Sequence, residues 1–204
     1  MALKSHFKSD LEKEKALFSL LDRYYTEQLR HYHFQRITQL KQQLQGIDLI
    51  LTHTHTGTSY FVDEKAQMDY INDDLPTFAF ELFYQKKGGD RLGWFLDSSK
   101  KTQFYALVTA IYSDEPKLFT SCKITLVNRQ KLLGFLRERK LDMPKFKALR
   151  GATMENHGKI CVPELLDRTE GYLYHSKQNK AESPFNLILR LDFLIQKGLA
   201  KRLV

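Results

Sequence analysis

The feature that most constrains this chain is a change of hydrophobic period at Gly46. Before it, Leu17, Leu20, Leu21, Tyr24, Tyr25, Gln28 and Leu29 recur at helical spacing, which predicts one or two helices over residues 9–45, with Ser9 as N-cap and Gly46 as the stop. After it the pattern turns β-like. Residues 47–53 are apolar and β-prone, and residues 58–67 follow a turn at Thr56-Gly57, so the two segments predict a hairpin. Further β-rich stretches begin at Thr77, Gly93 and Thr102, and the expectation is sheet over residues 48–127. Asn128 can cap a helix carrying Leu132, Leu133, Phe135 and Leu136, and a last helix is expected over residues 186–196 before Gly198. The class these patterns predict is α/β (α+β), a mixed central sheet flanked by helices. One domain over residues 1–204 is expected, with 128–204 as a mainly helical C-terminal part.

With 204 residues, 42% of them hydrophobic, the chain can bury one sizeable core. No run approaches the length of a transmembrane helix, and Met1-Ala2-Leu3-Lys4-Ser5-His6 lacks the apolar stretch of a secretory signal. A soluble, cytoplasmic protein without membrane association is therefore expected. Cys122 and Cys161 are too few for a disulfide scaffold and have no zinc-ligand spacing, so both read as buried, reduced thiols. A Gly-rich phosphate loop, a Ser-His-Asp ordering and a dinucleotide fingerprint are all missing from the sequence. The formal charge of +8 favours an anionic partner, because each Lys or Arg set against a phosphate releases counterions. Charge alone does not name that partner.

An acid-x-Lys tripeptide occurs three times, about as often as chance would place it, so context has to choose among the copies. Glu115-Pro116-Lys117 sits in a Pro-containing turn and Glu138-Arg139-Lys140 near the end of a helix. Only Asp63-Glu64-Lys65 falls on a predicted strand. Side chains alternate along a strand, so Asp63, Lys65 and Gln67 share a face. Asp48, near the start of the adjoining strand, is brought beside Asp63 by the hairpin. Two carboxylates and an ammonium then converge. Mg²⁺ or Mn²⁺ takes one or two carboxylates plus waters and phosphate oxygens, and Asp48 and Asp63 can supply the carboxylates, with the Glu64 carbonyl as a further oxygen. Lys65 can position a water or stabilise the transition state of phosphodiester hydrolysis, and Gln67 can hold that water or a phosphate oxygen.

These residues resemble the PD-(D/E)XK nuclease superfamily, whose fold is restriction-endonuclease-like. In that family an Asp on one strand and an acid-x-Lys on the next coordinate the metal and activate water, often with a Glu from a preceding helix. The resemblance implies these roles for Asp48, Asp63 and Lys65, and Glu14 is the candidate for the helical acid. It implies a Mg²⁺-dependent DNA endonuclease of restriction, junction-resolving or mobile-element type. Ile47 stands where the family usually has proline, and β-rich sequence at Phe78 follows where the family normally has a helix. Large insertions around a small core are known in the superfamily.

Other readings compete. Asp63 and Lys65 can be a solvent-facing pair on a half-exposed strand. His53 and His55 form a His-x-His pair, but no third ligand is spaced nearby. Lys86, Lys87, Arg91, Lys100 and Lys101 cluster around the turns flanking Trp94, where they serve either solubility or a DNA backbone. DNA is the expected partner, and a homodimer is left open. The alternative functions are a non-catalytic nucleic-acid-binding protein of the same fold and an interaction module with no nucleic-acid role.

Overall fold

The structure, a computed structural model, describes residues 7–86, 89–115, 118–177 and 182–204, with only the backbone of residues 7–15 described. These residues form two compact units, each assembled from separated stretches of chain. One joins residues 7–75 with Lys100–Arg129 and Gly198–Val204; the other joins Pro76–Ser99 with Gln130–Lys197. Five α-helices and two sheets are found among the described residues, so the class is mixed α and β. No helix among them is long and apolar enough to cross a membrane.

The first unit is a six-stranded sheet under one long helix. Helix α1 (Phe7–Gln28) contains no Gly or Pro, and its apolar stripe needs a surface to cover. Leu17, Leu20, Leu21 and Tyr25 are buried in one cluster with Leu49, Val62, Ala106, Val108 and Ile124 from the sheet. Fully burying each such leucine stabilises the fold by roughly 1.5–3 kcal/mol. The strands are β1 (Tyr32–Arg36), β2 (Leu49–His53), β3 (Ser59–Ala66), β6 (Phe104–Glu115), β7 (Leu118–Asn128) and β11 (Ala200–Arg202), and they lie side by side in that order. Every neighbouring pair is antiparallel except β3 and β6, which run parallel. Short helix α2 (Leu40–Gln43) bridges β1 and β2.

The second unit holds a wholly antiparallel sheet. Its strands are β4 (Thr77–Lys86), β5 (Gly89–Leu92), β8 (Gly158–Ile160), β9 (Gly171–His175) and β10 (Phe185–Arg190), in the spatial order β5-β4-β10-β9-β8. Helices α3 (Arg129–Glu138), α4 (Met143–Ala152) and α5 (Leu191–Gln196) accompany it. Asp142 caps α4 by accepting the Lys145 N–H at 3.0 Å, and the Pro at the first turn gives up no helical hydrogen bond.

Several expectations are corrected. The helical reading of residues 9–45 runs through β1, where Tyr32 and Phe34 alternate with exposed neighbours and Phe34 packs on Tyr25 with ring centroids 5.7 Å apart. The β-rich stretch over 48–127 is divided between two sheets, because β4 pairs with β10 and β5 and not with β3. The expected helix over 186–196 is a strand followed by a short helix. Phe185, Leu187 and Leu189 are buried on alternate positions of β10, a two-residue period that pairing with β4 and β9 enforces. Cys122 is buried but Cys161 is exposed, and both are free thiols.

Candidate active site

The hairpin of β2 and β3 forms with Leu49 opposite Val62 and Leu51 opposite Tyr60, and Gly57 takes the positive φ (69°) that its turn requires. Asp48 extends the ladder by one residue: its N–H donates to the Val62 carbonyl at 2.9 Å, and its own carbonyl accepts from Ile37 N–H at 2.8 Å. That register sets Asp48 against Asp63. The Asp48 carboxylate accepts the Glu64 backbone N–H at 2.8 Å and shares a hydrogen bond with the Asp63 carboxylate. The Lys65 ammonium forms an ion pair with Asp63.

Burial separates this pair from a solvated surface pair. Asp63 is only 2% exposed, and the Lys65 side chain is 28% exposed. Burial, and then the charge of Asp63 beside it, push the Asp48 carboxyl from the ordinary 3.8 up to about 7, against the opposing pull of Lys65. Two acidic groups held this close cannot both ionise freely without a cation. Their donor set is hard oxygen, which suits Mg²⁺ or Mn²⁺, and two carboxylates are what such an ion commonly takes from a protein. Among the described residues no group of three or more His, Cys, Asp or Glu is placed to hold a metal.

Alternation sends Glu64 to the other face of the sheet. Its carboxylate accepts from the Tyr25 hydroxyl at 2.8 Å and pairs with the Arg36 guanidinium, which also reaches Asp22 at 2.5 Å and stacks over the Phe18 ring at 4.1 Å. Burial draws the Arg36 pKa down, but Glu64 and Asp22 outweigh it and hold the guanidinium charged. Burial, then Glu64, keeps the Tyr25 phenol protonated. The Glu64 side chain is therefore committed to α1 and β1, and only its backbone N–H touches the Asp48–Asp63 side.

Gly46 and the segment after Ser99 close in on the same carboxylates, which the sequence did not reveal. Gly46 has φ of +73°, and a Cβ there would lie 2.3 Å from Thr102 Oγ1 and 3.3 Å from Asp63 Oδ2. Thr102 Oγ1 donates to the Gly46 carbonyl at 2.8 Å, and Lys101 N–H donates to Gln45 O at 2.8 Å. Lys100 Nζ donates to Leu44 O at 2.6 Å, and its Cδ would lie 3.4 Å from that same Gly46 Cβ. Lys100 is thereby brought to the rim of the site. The only signal for this in the sequence was a glycine directly before the Asp48 strand, consistent with a close approach.

The remaining candidates disperse. Gln67 lies one residue past β3, where its N–H donates to Val108 O at 3.0 Å, so strand alternation no longer sets its direction. Glu14 belongs to α1, and its side chain is outside the described residues. The basic cluster expected around Trp94 is split: Lys100 and the exposed Lys101 share a unit with Asp63, whereas the exposed Lys86 and Arg91 belong to the other unit, and Lys87 is outside the described residues. His53 Nδ1 accepts the Thr56 N–H at 3.2 Å, which gives it a role in holding the hairpin turn. In comparisons with known proteins, no family model matches the chain, and no curated protein or solved structure matches it.

Proposed function

We propose that this chain is a Mg²⁺- or Mn²⁺-dependent endonuclease hydrolysing DNA phosphodiester bonds, restriction-endonuclease-like in fold and of the PD-(D/E)XK kind. The observation that carries this reading is the meeting of the Asp48 and Asp63 carboxyls across the β2-β3 hairpin, Asp63 buried and Asp48 half-buried, with the Lys65 ammonium on Asp63. Asp48 and Asp63 would hold the ion, which when bound supplies Lewis acidity and an acidified water. Lys65 stands two residues along the same strand face, where its charge stabilises the negative charge developing on the phosphate oxygens. Lys100 and Lys101 bind the DNA backbone near the carboxylates. The β1-β2-β3 meander under α1 supports the restriction-endonuclease-like assignment. So does the entry of β6 parallel to β3 after the chain has passed through the other unit, as an insertion in a small core would make it.

The test is incubation of supercoiled plasmid with the purified chain in Mg²⁺, Mn²⁺ or EDTA. Conversion to nicked and linear forms is expected with either metal, and none with EDTA or with Lys65→Ala. DNA affinity should fall steeply between low and physiological salt, because the contacts are to phosphate. Binding without cleavage in either metal would select the non-catalytic nucleic-acid-binding reading. Affinity that ignores salt would remove DNA altogether.

A further inference from the structure

Helix α1 stops at Gln28 and leaves one end of its sheet uncovered. A cavity of about 380 Å³ opens there, on the face of the sheet opposite to Asp63. Its floor is one residue from each of four neighbouring strands: Leu51, Tyr60, Phe104 and Leu126. These side chains point the same way as Val62 and Ala106, which α1 covers, but they lie beyond its reach and are only partly buried in the cases of Tyr60, Phe104 and Leu126. The Tyr60 and Phe104 rings meet edge to face with centroids 5.7 Å apart, and Tyr32 stands 6.3 Å from Tyr60. The edge-to-face arrangement leaves aromatic surface open to a planar guest.

The wall is cationic. Arg30 and His31 enter from the end of α1, and Lys201, opposite Leu126, from the edge strand β11, whose next residue Arg202 stands opposite Thr125 and alternates to the other face. No Asp or Glu lines the cavity. Among the described residues neither Arg30, whose Nε donates to the Glu27 carbonyl at 3.2 Å, nor Lys201 is ion-paired, in contrast to Arg36, Arg139 and Arg150, each of which holds a carboxylate. Two cations without a carboxylate above an aromatic floor suit a guest that is anionic at one end and flat and apolar at the other. The volume suits a single small molecule or one unit of a polymer. A nucleotide has that chemistry: its base stacks on aromatic rings whatever its identity, and its phosphate recruits Arg and Lys.

We infer that this cavity is a nucleotide-binding site, taking the base of one unpaired nucleotide against Tyr60 and Phe104 and its 5′-phosphate between Arg30 and Lys201. It lies apart from Asp48 and Asp63 and does not depend on their activity. A nucleotide there comes either free from solution or as part of a single strand.

Binding to the full chain in EDTA, where nothing is cleaved, tests this with four probes: thymidine 5′-monophosphate, fluorescein-labelled pentathymidylate, inorganic phosphate and dodecanoate. Calorimetry and anisotropy should show the monophosphate or the pentamer binding at least about tenfold more tightly than inorganic phosphate, since stacking adds about that factor per base. Lys201→Ala with Arg30→Ala, and separately Tyr60→Leu, should each weaken binding about tenfold, whereas Arg202→Ala, on the other face of the sheet, should leave it unchanged. Tighter binding of the monophosphate than of the pentamer assigns the free nucleotide as the source, and the reverse assigns a strand. Thermal melting keeps the Tyr60 variant interpretable; if that variant fails to fold, the Arg30–Lys201 pair decides. Affinity that is indifferent to these substitutions, equal for inorganic phosphate, or matched by dodecanoate overturns the inference. Cleavage of plasmid by a chain whose cavity binds no nucleotide sinks this inference alone; nucleotide binding by a chain that never cleaves sinks the endonuclease reading alone.

Discussion

Strand β3 carries two charge clusters, one on each face, and they are built on opposite principles. On the α1 side, Glu64 meets Arg36 and Tyr25, Arg36 also takes Asp22, and every charge has an opposite or a hydrogen-bond donor against it. On the other side, Asp48 and Asp63 are pressed together with one lysine between two acids, and Asp48 is driven toward neutrality as a result. A balanced cluster of the first kind holds an element in place. An acid-rich cluster of the second kind leaves a demand for positive charge, which the proposed metal ion would meet. Residues one position apart in sequence thus have separate duties, and mutations at Asp63 and Glu64 should separate them.

The largest effect is expected at the acid-rich face. Asp63→Ala should lower metal-dependent cleavage by about a thousandfold or more, because a single remaining carboxylate holds the ion poorly, while the denaturation midpoint stays near that of the parent chain. Retained cleavage by the soluble variant would move the site elsewhere. Next comes the balanced face: Glu64→Ala leaves the Arg36 guanidinium with Asp22 alone and takes the acceptor from the buried Tyr25 hydroxyl, and should cost about 2 kcal/mol in urea unfolding. An unfolding free energy unchanged by that substitution would show that the two faces are not distinct in kind.

A smaller effect concerns pH. The Asp48 carboxyl sits at about 7 in the folded chain against an ordinary 3.8, so the folded state holds a proton that the unfolded state releases. Metal-free stability should therefore fall as pH rises from about 4 to about 7, and Asp48→Asn should flatten that slope in a series of thermal melts. Added Mg²⁺ should stabilise the parent chain more at pH 8 than at pH 5.5, since the ion competes with that proton. A rising metal-free contribution from Asp48 across the same window would contradict the pairing of the two acids. The smallest change belongs to the helical copy of the tripeptide. Glu138 and Lys140 are exposed, and Glu138→Ala or Lys140→Ala should leave cleavage and melting within error of the parent.

What the sequence disclosed was local. The two-residue alternation from Leu49 to Ala66, with Gly57 at the turn, was enough to place Asp48 beside Asp63, because a hairpin's register follows from its turn. The segments misread were those whose partners lie far away. Tyr32–Arg36 looks helical until β2 is placed beside it, and Phe185–Arg190 until β4 and β9 flank it. The Tyr25–Glu64 bond joins residues 39 positions apart and the Thr102–Gly46 bond residues 56 apart, separations at which no periodicity signals contact. Lys100 was read as a turn lysine for DNA; its packing beside Gly46 is a product of that same long-range closure.

The order in which the chain is threaded has a kinetic cost of its own. Strand β6 can join β3 only after residues 76–99, which belong to the other unit, have been made, and β11 can join β7 only after residues 130–197 have been made. The sheet bearing Asp48 and Asp63 therefore has a high contact order, and folding should be slow for a chain of this size. During synthesis the edge of β7 stands unpaired while more than a third of the polypeptide is still to emerge, a template for pairing with other chains. Refolding yield in vitro should accordingly depend on protein concentration, and a fragment ending at Asn128 should aggregate where the whole chain does not.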